Sequence, residues 1–155
     1  NTYLGALTPT GNTYHDIGMI WGGRLASSNG PFEANVNKDD KPVSRHLIFM
    51  SDGQMEPYIW GYDAYGIEAL SNRVAPFNST TNEVRDRHTA RYLAACEAIK
   101  AKGITVWVIA FGTALSDEMR ACSSDGRAYS ASDTTALRNQ FKFIASQVAN
   151  LRLGE

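Results

Sequence analysis

The sequence of 155 residues lacks the features that mark several large classes of protein. No apolar run approaches the roughly 20 residues that a membrane-spanning helix needs. The net charge of -1, with Lys and Arg scattered along the chain, gives no reason to expect nucleic-acid binding. There is no Gly-x-Gly-x-x-Gly, no P-loop and no nucleophile elbow around Ser51, so nucleotide binding and a serine-hydrolase triad have no sequence support.

Cysteine is scarce, and its two copies are Cys96 and Cys122. Their spacing excludes a Cys-x-x-Cys redox or zinc motif. The pair is either two buried thiols that behave as small apolar residues or a disulfide. A disulfide would imply an oxidising compartment, and at this point both interpretations stay open.

The composition that remains is that of one ordinary globular domain. The chain is 43% hydrophobic and 20% charged, and its length suffices for a proper core, so we expect a single domain over residues 1–155. The chain does not begin with Met and opens in a loop-like segment. We therefore expect it to be part of a longer protein.

The apolar runs predict an α/β fold around a parallel sheet. Residues 43–50 and 104–111 are apolar at nearly every position, which is typical of strands buried on both faces. Strand–helix alternation predicts a doubly wound sheet, and so few strands suggest that one or two more lie upstream of residue 1. The other predicted elements are a helix from an N-cap at Thr13 to about residue 25, helices over 65–74 and 84–102, a short strand over 127–130, and a last helix capped by Ser132 or Asp133.

Two segments are predicted to be loops. Residues 27–42 are polar and form a surface excursion. Residues 54–65 follow a strand and contain Tyr58, Trp60 and Tyr62. These aromatic side chains either cover the edge of the sheet or form a binding surface, and the sequence favours neither.

Two residues are candidates for a site where ligands collect, at the carboxyl ends of parallel strands. Asp52 follows a buried strand, and Thr13 precedes a helix. Each has an ordinary explanation, because an Asp can cap its own turn and Thr13 with Asp16 can form a capping box. If both lie in one crevice, their oxygens suit Mg²⁺ or Mn²⁺.

The three histidines share no metal-ligand spacing. His46 and His88 are predicted to have ordinary surface or core roles. His15 lies two residues after Thr13 and keeps a metal-dependent hydrolase open as a third hypothesis, with His15 as general base near Asp52.

Several motifs together resemble a known family. TGNT at residues 10–13 before a helix, LIFMSDG at 47–53 and GITVWVIAFG at 103–112 are similar to the latter part of a von Willebrand factor A domain. Residues 42–46 and 115–122 and the closing helix more narrowly resemble the C-terminal von Willebrand A-like region of TadG-type bacterial pilus-assembly proteins. The resemblance implies a Rossmann-like, doubly wound, mostly parallel sheet that lacks its N-terminal strand or strands here.

The resemblance also implies a function. Thr13 and Asp52 match the threonine and the later aspartate of the family's metal-ion-dependent adhesion site, whereas its Asp-x-Ser-x-Ser loop is absent from this sequence. The expected function is non-catalytic binding of a pilus or surface protein through Mg²⁺ or Mn²⁺. The domain would belong to a membrane-anchored bacterial protein and lie in the periplasm or at the cell surface. The alternative is a purely structural assembly domain without metal.

Two further expectations follow. An exported protein of this kind meets oxidising conditions, so the resemblance favours a disulfide between Cys96 and Cys122. The sheet edge left open by missing strands predicts self-association.

Overall fold

The structure, a computed structural model, describes residues 2–8, 11–36 and 43–151. Thr10 of the TGNT motif and residues 37–42 of the predicted polar excursion lie outside this part of the chain. The helices are α1 Thr2–Gly5, α2 His15–Ala26, α3 Glu33–Val36, α4 Glu68–Ser71, α5 Thr81–Ala101, α6 Asp117–Cys122 and α7 Thr134–Leu151. The strands are β1 Arg45–Ser51, β2 Tyr62–Asp63, β3 Gly66–Ile67, β4 Ile104–Phe111 and β5 Ala128–Ala131.

The architecture is mixed α/β, with a three-stranded parallel sheet in the order β1-β4-β5 and helices on both faces. This arrangement is compatible with a Rossmann-like fold. A separate antiparallel pair, β2-β3, begins within the segment 54–65, which is called the aromatic loop below. Among the described residues, no helix is both long and apolar enough to cross a bilayer.

The central strand β4 explains the two-sided core. Val106, Val108 and Ala110 face a cluster that α2, α5 and α6 supply, whereas Trp107 and Ile109 face β5 and α7. Successive side chains of a strand point to opposite faces, so an unbroken apolar run fits a strand covered on both sides. The prediction of a buried strand over 104–111 is confirmed, with Thr105 and Phe111 partly exposed.

The prediction that residues 43–50 form an equally buried strand is wrong on one face. Leu47 and Phe49 pack against the α2–α5 side, but Ile48 and Met50 are 39% and 49% exposed. The reason is position, because β1 is the edge strand and pairs only with β4 among the described residues. α7 covers this end of the sheet incompletely and leaves a cavity of about 630 Å³ beside Ile48.

Several predicted boundaries need correction. The prediction of one helix over 65–74 is wrong, because the segment holds β3 and the four-residue α4, which ends at Asn72 with φ 51°. The sequence reasoning did not identify α6 as a helix. The last helix begins as expected, since Asp133 Oδ1 accepts the N–H groups of Thr135 and Ala136, each at 2.8 Å. α5 ends before Gly103, whose φ of 73° suits glycine at the end of a helix.

The disulfide between Cys96 and Cys122 is confirmed. It joins α5 to α6, and both half-cystines are fully buried within the core on the α2–α5 side of the sheet. The bridge therefore ties together the two helices that cover this face of β4.

Candidate functional site

The two segments that carry Thr13 and Asp52 lie next to the carboxyl end of β1. Asp52 is exposed in the turn directly after β1. The backbone of Thr13 pairs with Glu56 through two N–H···O bonds of 3.1 Å. Two residues on, His15 Nε2 lies 2.9 Å from Ser51 Oγ. Both segments therefore lie at the carboxyl end of the sheet, where ligands collect in parallel α/β folds.

The predicted N-cap at Thr13 is wrong. The N-cap of α2 is Tyr14, with no side-chain cap hydrogen bond, because the backbone of Thr13 is extended in its bridge to Glu56. The capping box with Asp16 is absent as well. The Asp16 carboxylate instead accepts from Arg91 at 3.2 Å and lies 2.9 Å from His88 Nδ1.

Thr13 and Asp52 supply few donors for a metal. Mg²⁺ and Mn²⁺ are held by several oxygen ligands, at least some of them carboxylates. Among the described residues, no group of three His, Cys, Asp or Glu side chains with converging ligand atoms includes Asp52. These two residues alone do not make up such a site, and an adhesion-type metal here stays a prediction from the resemblance.

His15, which contacts Ser51, lines a small cavity. The cavity, of about 170 Å³, is bounded by His15, Glu118 and Tyr92 among others. Burial lowers the pKa of His15, so its ring is neutral near pH 7. A neutral imidazole next to a hydroxyl can act as a general base, although Ser51 Oγ also donates to Gly53 O at 3.1 Å within its own turn. The structure thus places His15 against Ser51, whereas the hydrolase hypothesis paired it with Asp52.

The aromatic loop presents its side chains to solvent. Tyr58, Trp60 and Tyr62 are 51%, 53% and 87% exposed. Phe77 extends the group, since its ring meets that of Trp60 edge-on with centroids 5.6 Å apart. The backbone that carries these side chains is well held, because Tyr58 N–H donates to Tyr14 Oη and Tyr62 belongs to β2.

A buried charged cluster lies between α2, α4 and α5. His88 is fully buried, and its two ring nitrogens contact Asp16 at 2.9 Å and Glu68 at 2.8 Å. Burial lowers the pKa of His88, but hydrogen bonds to the two carboxylates outweigh burial, and the pKa is raised. Burial likewise raises the pKa of Asp16, yet His88 and Arg91 outweigh it and the pKa is lowered.

The sequence reasoning missed this cluster, although part of the signal was present. His88 lies at a spacing of four from Val84 and Tyr92, which are buried on the same face of α5. That spacing indicated a buried histidine. Its partners were not predictable, because Asp16 and Glu68 lie 72 and 20 residues away in the sequence.

The part of the chain that the structure describes therefore presents three arrangements at or near one end of the sheet: an exposed aromatic loop, a histidine–serine pair beside a cavity, and a buried carboxylate–histidine cluster. Comparisons with family models, with curated proteins and with solved structures found no match to this chain.

Proposed function

We propose that this domain is a non-catalytic binding module that recognises a protein partner through the aromatic loop. The observation that carries the proposal is the exposure of Tyr58, Trp60 and Tyr62, each more than half open to solvent on one loop. Tyrosine and tryptophan are the residues that most often dominate the energy of protein interfaces. They bury a large area while few torsion angles are fixed, which keeps the entropic cost of binding low.

The backbone of this loop supports the same proposal. Gly61 N–H donates to Tyr58 O at 2.8 Å, and Tyr62 pairs with Ile67 across the β2-β3 hairpin. A loop that is ordered before binding loses less conformational entropy when a partner arrives. Its place beyond the carboxyl end of β1 is also where α/β sheets most often bind ligands.

The finer features of the proposal come from the sequence resemblance. We infer a von Willebrand A-like domain of a TadG-type pilus-assembly protein, in the periplasm or at the cell surface. The disulfide supports an oxidising compartment for the domain. The partner would be a pilus or surface component, and a divalent metal at Thr13 and Asp52 would require further ligands from elsewhere.

Site-specific photocrosslinking tests the proposal in cells that produce the whole protein. Tyr62, 87% exposed, is replaced by a photoreactive phenylalanine analogue, and the matched control is the same replacement at Tyr3 on α1, 77% exposed. We expect a discrete light-dependent adduct at Tyr62 that is absent at Tyr3. Identical adducts at both positions, or none at Tyr62, would contradict recognition by this loop.

A second candidate is a hydrolase, favoured by the 2.9 Å contact between His15 Nε2 and Ser51 Oγ beside a cavity. In this reading His15 would accept the proton of a nucleophile or of a water molecule. Turnover of generic ester or phosphoester substrates that His15→Ala abolishes would support it. The absence of turnover in the unmodified domain counts against it.

A third candidate is a purely structural assembly domain. The edge of β1 that no described strand pairs, with Ile48 and Met50 exposed beside it, favours association with another strand or with a second copy. Under this reading the aromatic loop would be dispensable, and alanine at Trp60 would leave assembly unchanged.

A further inference from the structure

The buried charged cluster has the composition of a metal site. Asp16, Glu68 and His88 are at most 2% exposed, and Asp63 lies half-buried at the end of β2. One ligand atom from each of Asp63, Glu68 and His88 lies within 4.8 Å of the others. Imidazole nitrogen and carboxylate oxygen are ligands that divalent transition metals such as Zn²⁺ accept together.

One ring nitrogen of His88 is held by a carboxylate, as in many metal-ligating histidines. Asp16 Oδ2 lies 2.9 Å from Nδ1, and Arg91 Nε donates to the same carboxylate oxygen at 3.2 Å. A carboxylate on one ring nitrogen fixes the tautomer and directs the other nitrogen toward a metal, as in carboxylate–histidine–metal arrangements. Here the other nitrogen, Nε2, points toward Glu68.

Three carboxylate oxygens of the cluster, Asp16 Oδ1, Glu68 Oε1 and Asp63 Oδ2, are buried without a hydrogen-bond partner among the described residues. Glu68 Oε1 and Asp63 Oδ2 belong to two of the three residues whose ligand atoms converge. Their sister oxygens are occupied, since Glu68 Oε2 contacts His88 and Asp63 Oδ1 accepts from Tyr65 N–H. Buried carboxylate oxygens without partners are costly, and a cation between them would remove that cost.

The charges agree with a divalent ion. Three carboxylates, those of Asp16, Asp63 and Glu68, face one guanidinium, that of Arg91, and the His88 ring. A histidine that ligates a metal is neutral, and with a neutral His88 the carboxylates outnumber the guanidinium by two charges. A divalent cation brings the cluster to neutrality, as burial at this depth requires.

The geometry points to a divalent transition-metal site formed by Asp63, Glu68 and Nε2 of His88, with Asp16 as the positioning residue. It is separate from the adhesion-type metal predicted at Thr13 and Asp52 and does not depend on the proposed function. Asp63 also borders a cavity of about 500 Å³, together with Tyr14, whereas Glu68 and His88 do not line it. The metal would join the β2-β3 hairpin, which carries Tyr62, to α4 and α5.

The competing account has no metal, with a protonated His88 bridging Asp16 and Glu68. Titration of Zn²⁺ into chelator-treated domain by calorimetry separates the two accounts, and Co²⁺ in its place gives a visible absorption band from ligated metal. The variants are Asp63→Asn and Glu68→Gln, each of similar shape but without charge. The matched control is Asp86→Asn, an exposed aspartate on the same helix as His88.

We expect one Zn²⁺ per chain in the wild type and in Asp86→Asn, and loss of that binding in Asp63→Asn and Glu68→Gln. Asp16→Asn should weaken binding about 10–100-fold, as second-sphere changes do. Circular dichroism without metal identifies any variant that fails to fold. If Glu68→Gln fails to fold, the loss of Zn²⁺ binding is tested on Asp63→Asn, because Asp63 is less buried than Glu68. No Zn²⁺ binding by the wild type, or equal binding by all the variants, would overturn the site.

Discussion

Removal of the disulfide should destabilise the domain by an amount that the loop length predicts. Cys96 and Cys122 are 26 residues apart, and on the chain-entropy model the bridge raises the free energy of the unfolded chain by about 3.5 kcal/mol at 25 °C. Loss of that stabilisation changes the folding equilibrium constant about 300-fold. In a domain of this size it should lower the melting temperature by roughly 7–14 °C.

The perturbation is the double variant Cys96→Ala/Cys122→Ala. Both half-cystines are fully buried in the core, so lost packing adds to the entropic effect. The assay is urea unfolding followed by circular dichroism, with the oxidised wild type as reference. The slope of the transition should be steeper in the variant, because an unbridged unfolded chain exposes more surface.

The control is wild-type protein that is unfolded, reduced and refolded in reductant. If the effect acts on the unfolded chain, this sample should unfold well below the oxidised wild type and somewhat above the double variant, which also loses the packing of both sulfurs. The native protein should resist reductant without denaturant, since both sulfurs are inaccessible. A loss below about 1 kcal/mol in the variant would refute the loop-entropy reasoning.

Three further outcomes are expected. Gly23→Ala places a Cβ 2.8 Å from two atoms of the buried Ile99 and should destabilise by about 1–3 kcal/mol in thermal melts. Gly18→Ala, whose Cβ meets its nearest neighbour at 3.9 Å, should be neutral or stabilising by up to about 1 kcal/mol; equal effects would contradict the close packing of α2. Backbone hydrogen bonds from the first turn of α7 hold the pKa of Asp133 below its ordinary value of 3.8. The stability that Asp133 adds is therefore fully present above pH 3.8 and is lost as the pH falls through the pKa of the folded state. In a plot of urea midpoint against pH, Asp133→Asn should flatten this acidic part. An unchanged plot would contradict the cap. The open edge of β1 predicts concentration-dependent association in sedimentation velocity, which Ile48→Lys should suppress; a monomeric wild type at high concentration would count against it.

Long periodic or continuous apolar segments were the elements that the sequence predicted well. β4 is apolar at nearly every position and lies between two layers of helices. α7 has its apolar side chains at spacings of three and four, and Asp133 marks its start. In these segments local preference and tertiary packing agree, so the pattern is read without knowledge of distant contacts.

Short or edge elements were predicted less well, because distant contacts decide them. Thr13 has a side chain that could cap a helix. Its backbone instead forms a bridge to Glu56, 43 residues later, and Tyr14 is the N-cap of α2. α6 has six residues, too few for a helical period to stand out. The half-exposed face of β1 depends on which strand pairs beside it, and composition does not carry that information.

The candidate sites also differ in whether distant contacts form them. The aromatic loop was identified by its residue types and by its place after a strand. The cluster of Asp16, Glu68 and His88 was missed, because three charged residues far apart in the sequence meet only once α2, α4 and α5 pack together. Periodicity on α5 gives the burial of His88 but not the identity of its partners.

The measurement that tests the central claim most directly is the affinity of the crosslinked partner, once identified, for wild-type domain and two tryptophan variants. Trp60 and Trp21 are 53% and 47% exposed, on the aromatic loop and on α2. If the loop is the recognition surface, Trp60→Ala should raise the Kd in calorimetry by about 30-fold or more, the threshold of an interface hot spot, and Trp21→Ala should leave it unchanged. An equal Kd for all three proteins, or a loss of affinity in Trp21→Ala alone, would contradict the proposed function.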